Sequence, residues 1–207
     1  HVIRNIPFRK TMPFKETKTV LGLPEAQHIL VLQGAGINVQ RGAEELVEAM
    51  AMLPGCCLLI IGGGDVLPRL KQIVKERALD NVRFLPRMPY ARMMAYTQWA
   101  ELGFSLDKDT NLNYRFSLPN KLFDYIQAGV PVIASRLPEI AKIITQYDIG
   151  LFVEDYHPET IAKTVQAALA DSARYLRWKS HLQQAAQELC WEKESKKLMA
   201  IYQHYAG

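Results

Sequence analysis

The residues best suited to chemistry lie in segment 117–135, SLPNKLFDYIQAGVPVIAS. Ser117 and Pro119 can open a helix, Pro because its fixed φ suits the first turn and its missing N–H is not needed there. A helix opened this way leaves its first amides free to bond an anion, and the aligned peptide dipoles add about half a positive charge. Lys121, in the first turn, supplies a mobile ammonium for phosphate oxygens. Asp124, three residues on, shares its helix face and can accept hydrogen bonds from vicinal hydroxyls. Gly129 ends the helix and Pro131 cannot extend it. A Lys and an Asp at this spacing also occur as a plain solvated pair on a capped helix. The segment therefore gains its meaning from where the fold places it.

A second candidate is the loop 34–42, GAGINVQRG. Gly34 and Gly36 can take backbone conformations closed to other residues, and Arg41 brings a cation near the end of the loop. Read alone, such a loop also serves as a strand-to-helix turn. The run Gly62-Gly63-Gly64-Asp65 is a weaker signal, since any tight turn can use it. Neither cluster is a dinucleotide fingerprint, because the sixth position of G-x-G-x-x-G is Val39 in one and Leu67 in the other. That disfavours a nicotinamide or flavin enzyme.

Composition excludes other classes. His1, His28, His157, His181 and His204 have no ligand or triad spacing. Cys56, Cys57 and Cys190 form neither a disulfide framework nor a metal-ligand set, so a reducing, cytoplasmic compartment is expected. The net charge of +4, from 25 basic and 21 acidic residues, is too mild and dispersed for a nucleic-acid surface and suits a small anion. No apolar run approaches the ~18 residues of a membrane span. The opening residues, HVIRNIPFRK, read as the middle of something longer.

The elements that must hold these residues alternate short apolar runs with helix-period segments, the signature of a parallel sheet. Strands are expected at 28–33, 56–61, 81–85, 101–106, 130–134 and 150–153. Helices are expected at 42–53, 66–79, 89–99, 119–128 and 138–146, with two or three more to the end. The stretch 107–115 reads as a polar loop, long enough to carry function. About six parallel strands with right-handed crossovers make a doubly wound, Rossmann-like α/β domain with C-terminal helices. In that fold the loops after the strands face one crevice, so both candidate segments meet there.

With that placement, the order Ser, Pro, Asn120-Lys121, Asp124 and Ala-Gly-x-Pro-Val-Ile resembles the donor-site motif of family 4 and related glycosyl transferases group 1 of the GT-B fold. The resemblance covers roughly residues 28–205 and implies half of a GT-B fold. Residues 1–15 would be a linker from an absent N-terminal acceptor domain, 16–190 the nucleotide-sugar donor domain, and 191–207 a helix packing back toward the absent half. It implies a retaining transferase of polysaccharide or glycoconjugate biosynthesis, using UDP or GDP sugars and no essential metal. The site residues carried over are Gly34, Gly36, Arg41, Phe84, Leu85, Arg87, Ser117, Pro119, Asn120, Lys121 and Asp124. Arg41 and Lys121 would stabilise the leaving diphosphate, Asp124 would take the ribose, and segment 81–89 with Phe84, Leu85 and Arg87 would hold the base. A sugar or lipid-linked acceptor, and any membrane contact, would belong to the absent part. Two departures weaken the sugar end: Ala35 stands where many relatives have Arg, and Phe116 where most have Glu. A GT-B epimerase half and a non-catalytic nucleotide-binding module are the alternatives.

Overall fold

The computed structural model describes residues 1–9 and 16–206. Its six strands are β1 (His28–Gly34), β2 (Cys56–Gly62), β3 (Val82–Leu85), β4 (Leu102–Ser105), β5 (Val132–Ala134) and β6 (Gly150–Phe152). They form one all-parallel sheet in the order β3-β2-β1-β4-β5-β6. The helices are α1 (Ala43–Ala49), α2 (Leu67–Glu76), α3 (Tyr90–Thr97), α4 (Leu112–Arg115), α5 (Asn120–Ala128), α6 (Pro138–Tyr147), α7 (Pro158–Ala170), α8 (Ser172–Glu188) and α9 (Trp191–Ala206).

The central strands β1 and β2 carry long apolar runs because helices cover both faces of the sheet. Side chains alternate along each strand. Ile29, Val31, Leu59 and Val132 enter a core with Phe123, Ile126, Ile140 and Leu182 of α5, α6 and α8. Leu30, Leu32, Leu58 and Ile133 enter the opposite core with Leu46, Leu70, Ile161 and Val165 of α1, α2 and α7.

Two expectations change in detail. The polar stretch 107–115 contains α4, which starts because the Asn111 side chain accepts a hydrogen bond from the Tyr114 amide at 3.0 Å. The fifth strand begins at Val132 and not at Val130, since Pro131 offers its carbonyl to Gly103 but has no N–H to extend the ladder. Of the expected linker 1–15, residues 10–15 lie outside the described residues. Its first part lies against α9: the Arg4 amide donates to Glu194, and the Trp191 amide donates to the Pro7 carbonyl.

Tyr125 ties α5 to the sheet. Its hydroxyl faces the carbonyls of Val31 and Phe104 at 3.2 and 3.3 Å and accepts from the Gln33 amide at 3.3 Å. A Cβ at Gly103 would lie 2.7 Å from its ring, so β4 carries glycine where the ring lies flat on the strand. Tyr125→Phe should lower stability by about 1–3 kcal/mol, because it strips partners from buried backbone groups. Urea denaturation would measure this, and an unchanged midpoint would refute it.

Candidate functional site

The strand order reverses between β1 and β4, whose successors leave in opposite directions, and the crevice opens at the carboxyl ends of that pair. Arg41 arrives there from the loop after β1. Gln40 is left-handed at φ 62° and Gly42 at φ 66°, so the chain turns sharply on both sides of Arg41. The turn is fastened to the end of β4 by a hydrogen bond from the Lys108 amide to the Gln40 carbonyl at 3.0 Å. A Cβ at Gly42 would stand 2.5 Å from the Leu106 Cβ, which leaves glycine no substitute in this conformation.

Arg41 Nη1 lies 3.0 Å from Asp107 Oδ1, and its guanidinium carbon lies 4.9 Å from the centre of the Tyr114 ring on α4. Asp107 is wholly buried. Lys121 enters from the first turn of α5, as the sequence implied. Burial of its amine lowers the pKa, the Asp107 charge raises it, and the Arg41 charge lowers it further, with a net shift downward. The two cations singled out by sequence are therefore neighbours around a carboxylate that was not. Pro119 is the N-cap of α5 and no side chain caps the helix, so its start presents backbone amides. Ser117 and Pro119 are half-buried in the turn leading to it, and Asn120 is exposed, accepting from Asn5 at 3.4 Å.

Asp124 is not half of a solvated pair with Lys121. It is buried and accepts from Gln33 Nε2 at 3.1 Å and from the Tyr90 hydroxyl at 2.8 Å. Gln33 Oε1 in turn accepts from the Thr97 hydroxyl at 2.6 Å. Burial and the Asp124 carboxylate push the Tyr90 phenol upward, so it stays a donor.

The third group lies over β2 and β3. Phe84 and Leu85 are half-buried at the end of β3, and Arg87 donates to the Ala35 carbonyl at 2.5 Å, crossing from one loop to the other. It passes over Gly63, where a Cβ would come within 2.5 Å of its Nε. Beneath it is a cavity of about 180 Å³ lined by Gly34, Ala35, Ile61, Gly62, Arg87, Met88 and Met93.

The run 62–64, weak as a motif, has a clear structural use. The Ile37 amide donates to the Gly63 carbonyl at 2.7 Å and the Gly63 amide to the Gly34 carbonyl at 3.2 Å, lacing the two loops together. Gly34 and Gly36 differ: a Cβ there would meet nothing closer than 3.7 Å and 3.4 Å. Protein packing alone does not demand glycine at either position.

Gln33, Tyr90, Asp107 and Tyr114 were missed from sequence. Gln33 and Asp107 carried a readable signal, as polar residues closing an apolar strand or following one directly. Tyr90 and Tyr114 carried none, since their roles depend on α3 and α4 folding over the crevice. Among the described residues no three of His, Cys, Asp and Glu gather so as to hold a metal ion, and no helix is long and apolar enough to cross a membrane.

Against this geometry the comparisons with known proteins are specific. The chain is 27% identical over 198 residues to a D-inositol 3-phosphate glycosyltransferase of Jonesia denitrificans, a match covering 90% of the chain and 45% of that protein. It is 25% identical to a chitobiosyldiphosphodolichol beta-mannosyltransferase of Candida glabrata, covering 91% of the chain and 49% of that protein. The chain thus spans about half the length of the curated relatives it matches. Its fold matches sucrose-phosphate synthase from Thermosynechococcus elongatus with a TM-score of 0.77 at 24% identity, over 91% of the chain and 48% of that structure. It also matches Anabaena Alr3699/HepE in complex with UDP and glucose, with a TM-score of 0.71 at 15% identity, over 89% of the chain and 50% of that structure. The six-stranded parallel sheet is accordingly half of a GT-B structure. The family model for glycosyl transferases group 1 matches residues 14–185, and the chain belongs to that family.

Proposed function

We propose that the crevice over β1 and β4 binds the diphosphate of a nucleotide-sugar donor, and that the chain is the donor half of a retaining glycosyltransferase of polysaccharide or glycoconjugate biosynthesis. The observation that carries this reading is the meeting of Arg41 and Lys121 beside the uncapped start of α5. Two cations and a set of free amides concentrated at one point suit an anion of more than one charge. As the sugar leaves, negative charge grows on the diphosphate, and preorganised donors stabilise that transition state without an essential metal.

The remaining assignments follow the family resemblance. Asp124, with Tyr90 beside it, takes the ribose hydroxyls. The cavity under Arg87, with Phe84 and Leu85 at its edge, takes the base. The acceptor, a sugar or a lipid-linked sugar, and any membrane contact belong to the remainder of the protein, so this chain alone turns over little or nothing. Its expected location is the cytoplasm. Support comes from family membership, and from the solved Anabaena relative in complex with UDP and glucose.

Calorimetric titration of the intact protein with UDP and GDP tests the reading. Micromolar to millimolar binding of one of them is expected, and binding of neither would remove it. The glycines give a sharper test. Because packing leaves room for a Cβ at both, Gly34→Ala and Gly36→Ala should shift stability by no more than about 0.5 kcal/mol, yet weaken nucleotide binding several-fold through lost backbone approach. Unchanged affinity in both variants would take the loop 34–36 out of the site.

A further inference from the structure

We propose that Asp107 is a positioning residue of the crevice: its buried carboxylate is the counter-ion that anchors Arg41 in the crevice it shares with Lys121. The inference rests on the reading of that crevice as a diphosphate site. Asp107 lies two residues past the end of β4 and is wholly buried, so it is walled off from any ligand that the two cations hold. Its backbone is fixed on two sides: the Tyr156 hydroxyl donates to its carbonyl at 3.0 Å, and the next residue, Lys108, donates through its amide to the Gln40 carbonyl at 3.0 Å. The backbone under the carboxylate is thus tied to the loops after β1 and β6. Arg41 Nη1 is within ion-pair distance of Oδ1, yet Oδ1 accepts no hydrogen bond among the described residues and Arg41 Nε has no partner. The attraction anchors the guanidinium through Nη1 with Nε buried, and the side chain stays partly exposed toward the crevice. That exposed part remains for phosphate oxygens.

The groups facing this carboxylate are Arg41, Lys121, Lys108, Tyr156, Tyr125 and the Ser105 hydroxyl, which lies 3.5 Å from Oδ2. Lys108 is paired with Glu45 at 2.5 Å, and both tyrosines have their phenols pushed upward by burial, which leaves them neutral over the working range. Arg41 and Lys121 repel each other, and burial disfavours the charged amine. Asp107 opposes both effects. Without its charge Lys121 loses its proton at a lower pH, and a neutral amine is a poor partner for diphosphate.

The test is UDP and GDP titration of the intact protein across pH 6–10. Asp107→Asn should weaken binding at neutral pH about tenfold or more and move the alkaline loss of affinity to lower pH. Arg41→Gln should weaken binding too but move that loss upward, because Arg41 is a cation opposing Lys121. In the double variant Asp107→Asn should cost less than it does alone. Equal or tighter binding by Asp107→Asn, or weaker binding with an unmoved alkaline limb, overturns the proposal. Should Asp107→Asn fail to fold, an unmoved limb in Arg41→Gln, where the side chain is partly exposed, overturns it as well. If wild type binds neither nucleotide, the diphosphate reading itself falls, an outcome distinct from binding that ignores Asp107.

Discussion

Lys121→Ala is expected to lower sugar transfer by the intact protein about 10²–10³-fold, the range typical of removing one preorganised group from a developing anion. The effect should fall mainly on turnover, because negative charge on the diphosphate grows as the glycosidic bond breaks and is largest in the transition state. The structure makes a second, unusual demand. Lys121 is an amine held below its ordinary pKa by burial and by Arg41. A lysine whose folded-state pKa lies below its unfolded value costs stability while charged, and that cost shrinks as pH rises from the folded toward the unfolded value. Lys121→Ala should therefore leave the melting temperature unchanged or raise it at neutral pH, while activity collapses. Loss of function with undiminished stability marks a residue kept for its ligand. Initial rates with UDP and GDP sugars, beside thermal melts, provide the measurement. A variant that retains more than a tenth of wild-type turnover would remove Lys121 from the site, and one that melts early would make its role structural.

The parallel sheet could be read from sequence because helices covering both faces require long apolar runs in the central strands, and those runs were visible at 28–33 and 56–61. The helix start at Pro119 and Lys121 was visible for a similar reason: Pro119, Asn120, Gly129 and Pro131 are local signals acting within a few residues of themselves. Arg41 was legible as a candidate through the family resemblance of its loop, which follows the first strand and so opens into the crevice. Asp107 was visible as a polar residue after an apolar run, but its role was hidden because that role is not local. It lies just past β4, the strand beside β1 in space, although 66 residues of chain separate it from Arg41, and no short-range pattern records which strands become neighbours. Asp124 shows the same limit from the other side. Its helix position was read correctly, but its hydrogen bonds go to Gln33 on β1 and Tyr90 on α3. Those partners follow from how α5 packs on the sheet, through Tyr125 on Gly103, and not from the spacing within α5.

Gly42→Ala should be the most damaging small substitution near the crevice, with a loss of about 2–4 kcal/mol from combined backbone strain and overpacking. Its φ of 66° is left-handed, and the added Cβ would meet Leu106 at its Cβ, 2.5 Å away, and at its carbonyl oxygen, 2.7 Å away. Neither neighbour can yield cheaply, since Leu106 is fully buried between β4 and Asp107. Gly42 is also the N-cap of α1, with its carbonyl accepting from the Leu46 amide, so relief by moving the glycine disturbs the helix. The remaining freedom is to push the turn 40–42 away from the end of β4. That is the motion that separates Arg41 from Asp107. Stability and nucleotide affinity should therefore fall together in Gly42→Ala, whereas Gly36→Ala, in the same loop, leaves stability nearly intact. Chemical denaturation and calorimetry on the two variants would show the contrast. If Gly42→Ala proves as stable as wild type and binds nucleotide equally well, the turn is softer than its contacts imply, and Arg41 does not depend on its fastening to β4.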